Sequence, residues 1–127
     1  MKFLILSVCL FGALFATSPP IEWTPLPVDD PTVITLADQA VAYINAQDNS
    51  LYYNKLIQIK EAKSRVADKV EYELKLVIRI TDCPKSKPYT DACQINQDEP
   101  PKLCTIDAYV RAGSEENKIY KFLCGEI

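Results

Sequence analysis

Every second residue between Val70 and Ile80 is apolar or aromatic, and this alternation constrains the fold more than any other part of the sequence. The positions between them are charged, except for Val77. A period of two is typical of an antiparallel strand that buries one face and leaves the other in solvent. The chain is therefore expected to contain a sheet whose apolar face needs a second layer to cover it.

A helix that precedes this strand is predicted to supply that layer. Apolar residues at helical spacing form one face of it: Ala37, Ala40, Val41 and Ile44. This is the period of an amphipathic helix. Thr35 and Asp38 form a capping-box-like start, with an earlier start suggested by Val33, and the helix is expected to end near Asp48.

Weaker strand patterns lie on either side of the alternating segment, at residues 52–63, 103–111 and 118–124. Residues 82–102 are rich in proline and polar side chains and are predicted to form a long loop. The order helix, strand, strand, loop, strand, strand indicates an α+β fold, in which a four- to five-stranded antiparallel sheet wraps around one amphipathic helix.

The amino terminus has the pattern of a secretory signal peptide. Lys2 precedes an apolar run from Phe3 to Leu14, and small residues follow before Pro19. The run is shorter than the ~20 residues of a membrane-spanning helix, so no membrane partner is expected. We therefore predict a signal peptide at 1–18, an extended proline-rich arm at 19–32, one domain at 33–127, and a secreted protein.

Four cysteines remain once Cys9 leaves with the signal peptide: Cys83, Cys93, Cys104 and Cys124. An even number in an oxidising compartment indicates two disulfides, and four cysteines allow three pairings. Pairing in sequence order is favoured, because the first two cysteines bracket a polar loop and the last two bracket a predicted hairpin. A zinc site is disfavoured because the chain has no CxxC pair and no histidine.

Composition argues against an enzyme and against nucleic acid binding. Without histidine, Ser/His and Cys/His nucleophile systems are excluded, and no glycine-rich phosphate loop occurs. The acidic pair Glu71 and Glu73 is typical of a solvated strand face. Without Lys2, 13 cationic residues face 17 acidic ones, a net charge of −4, so phosphate binding is not expected. No cofactor or metal is predicted.

The cysteine spacing carries a family resemblance. Cys93 lies ten positions after Cys83, and Cys124 lies twenty positions after Cys104; this spacing resembles that of the secreted type 2 cystatins. Residues at other family positions agree with it: Ala40, Val41, Asn45, Tyr72 and Tyr109. The resemblance implies a monomeric inhibitor whose partner is a papain-like cysteine protease.

Family members bind such proteases through a wedge of three parts: an arm with a glycine, a QxVxG turn, and a Pro-Trp pair in a second turn. Here the first turn falls on 65–69 or, shifted by one residue, on 64–68, where only Val66 matches. The second turn has Ala112 and Gly113, and the arm has no glycine. The candidate protease contacts are Trp23, Arg65, Val66, Ala67, Asp68, Lys69, Ala112 and Gly113.

The wedge of this chain therefore differs from the family pattern in every part. Asp68 or Lys69 would bring bulk and a charge to the tip, which must be desolvated in a protease cleft. Trp23 could restore the apolar contact of the missing tryptophan, or it could pack on its own domain. The alternative is a cystatin-fold secretory protein, of salivary or venom type, that binds another partner.

Asn49 is a second candidate site. Some family members inhibit legumain-type proteases through an asparagine in the loop after the helix, and Asn49 falls at that position between Asp48 and Ser50. The competing interpretation is structural, because asparagine tolerates the left-handed backbone that often ends a helix.

Overall fold

The computed structural model describes residues 22–111, 113–114 and 116–127. The predicted signal peptide at 1–18, the first residues of the arm and Ala112 lie outside the described residues. The elements are β1 (Thr24–Pro25), α1 (Pro31–Gln47), β2 (Tyr52–Val66), β3 (Lys69–Pro84), β4 (Lys102–Arg111) and β5 (Asn117–Glu126). The strands form one antiparallel sheet in the order β1-β2-β3-β4-β5.

Helix α1 begins at Pro31, earlier than the capping-box-like start expected at Thr35. Asp30 is the N-cap, and its carboxylate accepts hydrogen bonds from the backbone N–H groups of Thr32 at 2.8 Å and Val33 at 3.4 Å. Proline suits the first helical position because its missing N–H would be unpaired there in any case. The helix therefore includes Pro31 and Thr32, the last two residues of the segment expected to form the arm.

One face of α1 packs against the concave face of the sheet. The helix and the strands β2, β3 and β4 together supply the buried core: Val33, Leu36, Ala37, Ala40, Val41, Ile44, Ala62, Leu74, Leu76, Ile78, Cys104, Ile106 and Ala108. The four helical positions predicted from periodicity are all in this core, as is the centre of the alternating strand. The predicted fold class is confirmed.

Two disulfides join the cysteines in sequence order, with Cα–Cα distances of 5.7 Å for Cys83–Cys93 and 4.0 Å for Cys104–Cys124. The first holds the long loop 85–101 against the end of β3, where Asp82 N–H donates to the Gln94 carbonyl at 2.9 Å. The second ties β4 to β5 from inside the core, since Cys104 is fully buried.

The convex face of the sheet carries a row of charges that crosses four strands. Lys63 on β2 lies opposite Glu73 on β3, Glu73 lies opposite Asp107 on β4, and Asp107 lies opposite Lys121 on β5. Lys63 and Glu73 form an ion pair at 3.1 Å. Burial raises the pKa of Asp107, and the facing carboxylate of Glu73 raises it further. Lys121 offsets only part of this effect.

Replacing Asp107 with asparagine is expected to stabilise the protein at pH 7. A carboxyl whose pKa is raised by folding stabilises the fold below its unfolded pKa, and that stability is lost as the pH rises through the folded pKa. We expect Asp107→Asn to raise the free energy of unfolding by about 0.5 kcal/mol at pH 7, as for other directly opposed like charges. Urea unfolding at pH 7 and at pH 3 measures the effect.

The gain should disappear at pH 3, where Asp107 is protonated in both the folded and the unfolded state. Asp29→Asn, at an exposed position outside the charge row, is the control and should change little at either pH. An equal gain at pH 3 would show that the effect of Asp107→Asn is not electrostatic.

Candidate functional site

Strand register brings the arm, the first hairpin turn and the second hairpin turn to one end of the sheet. Val66 pairs with Val70 around the first turn, and Lys69 pairs with Arg111 where the second turn begins. Strand β1 pairs with Ser64 and Lys63 at the same end of β2. The three segments that the sequence singled out are therefore neighbours, and we call this end of the sheet the turn end.

The tip of the first turn consists of Val66, Ala67 and Asp68, which are all exposed. Val66 is 67% exposed, so most of this apolar side chain is accessible to another protein. Ala67 N–H closes the turn by donating to the Lys69 carbonyl at 2.9 Å. Among the described residues no residue except Gly113 has a positive φ, so the lack of glycine in this turn leaves no backbone strain.

Lys69 does not project from the tip, although the sequence placed it among the tip residues. Its Nζ lies 4.4 Å from the centre of the Tyr109 ring, and the Arg111 guanidinium lies 5.8 Å from the same ring. Tyr109 also packs against Tyr120 on β5, with ring centres 5.5 Å apart. The two cations are held on the convex face of the sheet, and Asp68 is the charged residue at the tip.

Trp23 packs on its own domain, one of the two alternatives that the sequence left open. The guanidinium of Arg65 lies 4.4 Å from the centre of the Trp23 ring, and Lys63 Nζ lies 5.3 Å from it. Arg65 is held in turn by Glu71 on β3, with Nη2 to Oε1 at 3.1 Å. A stack of this kind fixes the arm beside the first turn, and the indole remains only partly buried.

The second turn depends on Gly113, whose φ is +82°. A side chain at this position would be strained, although an added Cβ would meet no atom within 4 Å. Ser114 N–H donates to the Arg111 carbonyl at 3.0 Å, and Glu116 N–H donates to Ser114 Oγ at 3.1 Å. Gly113 therefore shapes the turn and leaves open space in front of it.

Asn49 lies at the opposite end of the sheet, in the loop between α1 and β2, and its side chain is exposed. It does not adopt the left-handed backbone that would explain an asparagine there structurally. Its neighbours are anchored: the Asp48 N–H donates to the Ile44 carbonyl at 2.9 Å, and Ser50 Oγ accepts from Tyr52 N–H at 3.1 Å.

A buried amide network braces that loop, and sequence reasoning missed it. Asn54 is 2% exposed, and its Nδ2 donates to Asn45 Oδ1 at 2.8 Å and to Asp48 Oδ2 at 2.9 Å. Lys85 forms an ion pair with Asp48. Asn54 is one of several polar residues in the strand pattern of 52–63, so the sequence does not single it out.

Comparison with known proteins gives consistent matches over most of the chain. A family model described as a cystatin domain matches residues 22–113. Cystatin-1 of Chilobrachys guangxiensis is 32% identical over 128 residues, covering 98% of this chain and 93% of that protein. T-kininogen 2 of Rattus norvegicus is 30% identical over 96 residues, which cover 74% of this chain and 22% of that protein.

A solved structure gives the same fold. The crystal structure of Al-CPI superposes with a TM-score of 0.72 at 24% identity, covering 82% of this chain and 99% of that one. At this level of identity the superposition bears on the fold alone.

Proposed function

This chain belongs to the cystatin family, and we propose from that premise that it inhibits papain-like cysteine proteases. Cystatins are protease inhibitors rather than enzymes, and this chain is not an enzyme. One observation carries the proposal: the arm, the first turn and the second turn meet at the turn end, where one protein surface can contact all three.

The contacts we propose differ from the family pattern in chemistry but use the same end of the fold. Val66 and Ala67 enter the cleft as the apolar tip, and Asp68 must be desolvated or paired by the protease. Trp23 contributes the exposed part of its ring, held in place by Arg65. Gly113 keeps the second turn free of side-chain bulk.

We further propose that the protein is secreted and acts outside the cell. The support is the signal-peptide pattern of residues 1–18 together with two disulfides, which form in oxidising compartments. Within the part of the chain that the structure describes, no helix has the length and hydrophobicity needed to cross a membrane.

Substituting the exposed valine at the tip is expected to weaken inhibition. Val66→Asp would place a second carboxylate next to Asp68 and bury it in the cleft, where an unpaired charge is costly. We expect the inhibition constant for papain and for a cathepsin L type enzyme to rise about tenfold or more. The measurement is a residual-activity titration of the oxidised protein, read side by side for both enzymes.

Leu51→Asp is the matched control, because Leu51 is also a large exposed apolar residue, 77% exposed, but lies just before the start of β2, far along the strand from Val66. It should leave both inhibition constants unchanged. Equal effects of the two substitutions would argue against contact through the turn end. Absence of inhibition by the unsubstituted protein would remove the proposal and favour a non-inhibitory binding protein with the same fold.

A second candidate function is inhibition of legumain-type proteases through Asn49. The observation that favours it is the exposure of Asn49 on a loop anchored at both sides, without the left-handed backbone of a helix cap. Because the loop and the turn end are at opposite ends of the sheet, both functions could coexist in one chain.

Crossed substitutions separate the two functions. Asn49→Gln should abolish legumain inhibition and leave papain inhibition intact, whereas Val66→Asp should weaken papain inhibition and leave legumain inhibition intact. Legumain inhibition that survives Asn49→Gln would exclude Asn49 as the contact.

A further inference from the structure

A cavity of about 670 Å³ lies between α1, the start of β2 and the loop 85–91. It is at the Asn49 end of the molecule, away from the turn end, and no sequence pattern predicted it. Its volume is within the usual range for sites that bind small molecules, roughly 300–1,000 Å³. The cavity is therefore large enough for a ligand with one or two rings.

Two tyrosines and aliphatic side chains form its apolar wall. The rings of Tyr53 on β2 and Tyr89 on the loop meet edge to face with centres 5.4 Å apart, and Val41 and Leu56 extend the same wall. Tyr53 is fixed because its hydroxyl donates to the Lys87 carbonyl at 2.6 Å. Aromatic edges and faces arranged in this way favour an aromatic ligand.

The cations beside the cavity are already engaged within the chain. Lys55 Nζ donates to the carbonyl oxygens of Asp91 at 3.4 Å and Cys93 at 3.2 Å. Lys85 is ion-paired with Asp48. The charge of Lys85 is therefore balanced by a carboxylate, and two of the three N–H donors of Lys55 are already used by backbone carbonyls.

The carboxylates in the cavity wall, unlike the lysines, have no bonding partner within the described residues. Asp38 on α1 and Asp91 on the loop both line it, and among the described residues neither carboxylate has an ion pair or accepts a hydrogen bond. Both acids share the cavity lining with Tyr89: burial raises the pKa of this tyrosine, and the negative charges of Asp91 and Asp38 raise it further. One acid thus comes from the helix side of the cavity and the other from the loop side.

The loop that supplies Tyr89 and Asp91 is held in place before any ligand binds. The Cys83–Cys93 disulfide closes it, and Lys85 N–H donates to the Leu51 carbonyl at 2.8 Å. A wall fixed in advance reduces the entropy lost on binding.

We propose that this cavity binds an arylalkylamine, meaning an aromatic ring joined by a short alkyl chain to a protonated amine. The ring packs against Tyr53 and Tyr89, and the ammonium group pairs with Asp38 and Asp91. Charge complementarity favours a cation, since the wall carries two unpaired carboxylates, Asp38 and Asp91, against one ammonium without a carboxylate partner, Lys55, while Lys85 is paired with Asp48. This binding is independent of protease inhibition, because the turn end contributes no residue to the cavity.

Three probes of nearly equal shape test the proposal by calorimetric titration of the oxidised protein: phenethylamine, 2-phenylethanol and 3-phenylpropanoate. Phenethylamine should bind about tenfold more tightly than the neutral alcohol, the usual gain from a charge-assisted hydrogen bond. The carboxylate should bind more weakly still. Equal binding of amine and alcohol, preferential binding of the carboxylate, or no binding of phenethylamine would each overturn the proposal.

Substitutions locate the site. Asp38→Asn and Asp91→Asn should each lower the affinity for phenethylamine and leave that for 2-phenylethanol unchanged. Asp98→Asn, on the same loop but outside the cavity, is the matched control and should have no effect. Both cavity substitutions are at exposed positions, so folding should be retained, and circular dichroism checks this. Unchanged phenethylamine affinity in both variants would place the bound amine elsewhere.

Discussion

Replacing Leu36 with alanine is expected to lower the free energy of unfolding by about 3 kcal/mol, the typical cost of truncating a fully buried leucine. Leu36 is 0% exposed and lies on the face of α1 that packs against the sheet. The loss combines the transfer free energy of the removed methyl groups with the cavity they leave behind. Urea or thermal unfolding of the oxidised protein measures the change.

Ile34→Ala is the control on the same helix. Ile34 is similar in size but 43% exposed, so its truncation should cost less than about 1 kcal/mol. Similar losses for both variants would mean that α1 does not present the Leu36 face to the sheet.

Removal of the Cys104–Cys124 disulfide by a double substitution to alanine is expected to be similarly damaging. The bridge closes a loop with a sequence separation of 20, so its loss should cost about 3 kcal/mol through the entropy of the unfolded chain. The Cys104 position is also fully buried, so the change disturbs core packing. Chemical denaturation compared with the oxidised parent protein gives the difference.

The Cys83–Cys93 bridge supplies the comparison. Its shorter separation of 10 predicts a slightly smaller loss. Its removal should also weaken phenethylamine binding, since it frees the loop that carries Tyr89, whereas removal of Cys104–Cys124 should leave binding unchanged as long as the protein is folded. A double variant at 104 and 124 as stable as the parent would contradict a structural role for that bridge.

Much of the fold could be predicted because its signals are local and periodic. Residues 70–80 alternate along the chain, so the burial of Leu74, Leu76 and Ile78 on one face of β3 follows from the period. The start of α1 was harder to predict from the sequence, because the N-cap Asp30 lies within a proline-rich segment that otherwise indicates extended chain. Local propensity did not distinguish the last proline of the arm from the first residue of the helix.

The candidate site was only partly predictable, since its contacts join residues that are far apart in sequence. The turns could be located, but the stacking of Arg65 on Trp23 and of Lys69 on Tyr109 depends on strand register and side-chain direction. The cavity between α1 and the loop 85–91 could not be predicted for the same reason. Asp38 and Asp91 belong to a helix and a distant loop, and no spacing rule relates them.

The backbone of the first turn has a consequence for protein engineering. Since no residue between Val66 and Val70 requires a positive φ, every amino acid except proline at hydrogen-bonded positions is compatible with its conformation. Libraries of randomised residues at 66–68 should therefore fold with little loss of stability, whereas most replacements of Gly113 should each cost about 1–2 kcal/mol. New recognition sequences can thus be placed in the first turn, while Gly113 is kept so that the second turn continues to join β4 and β5.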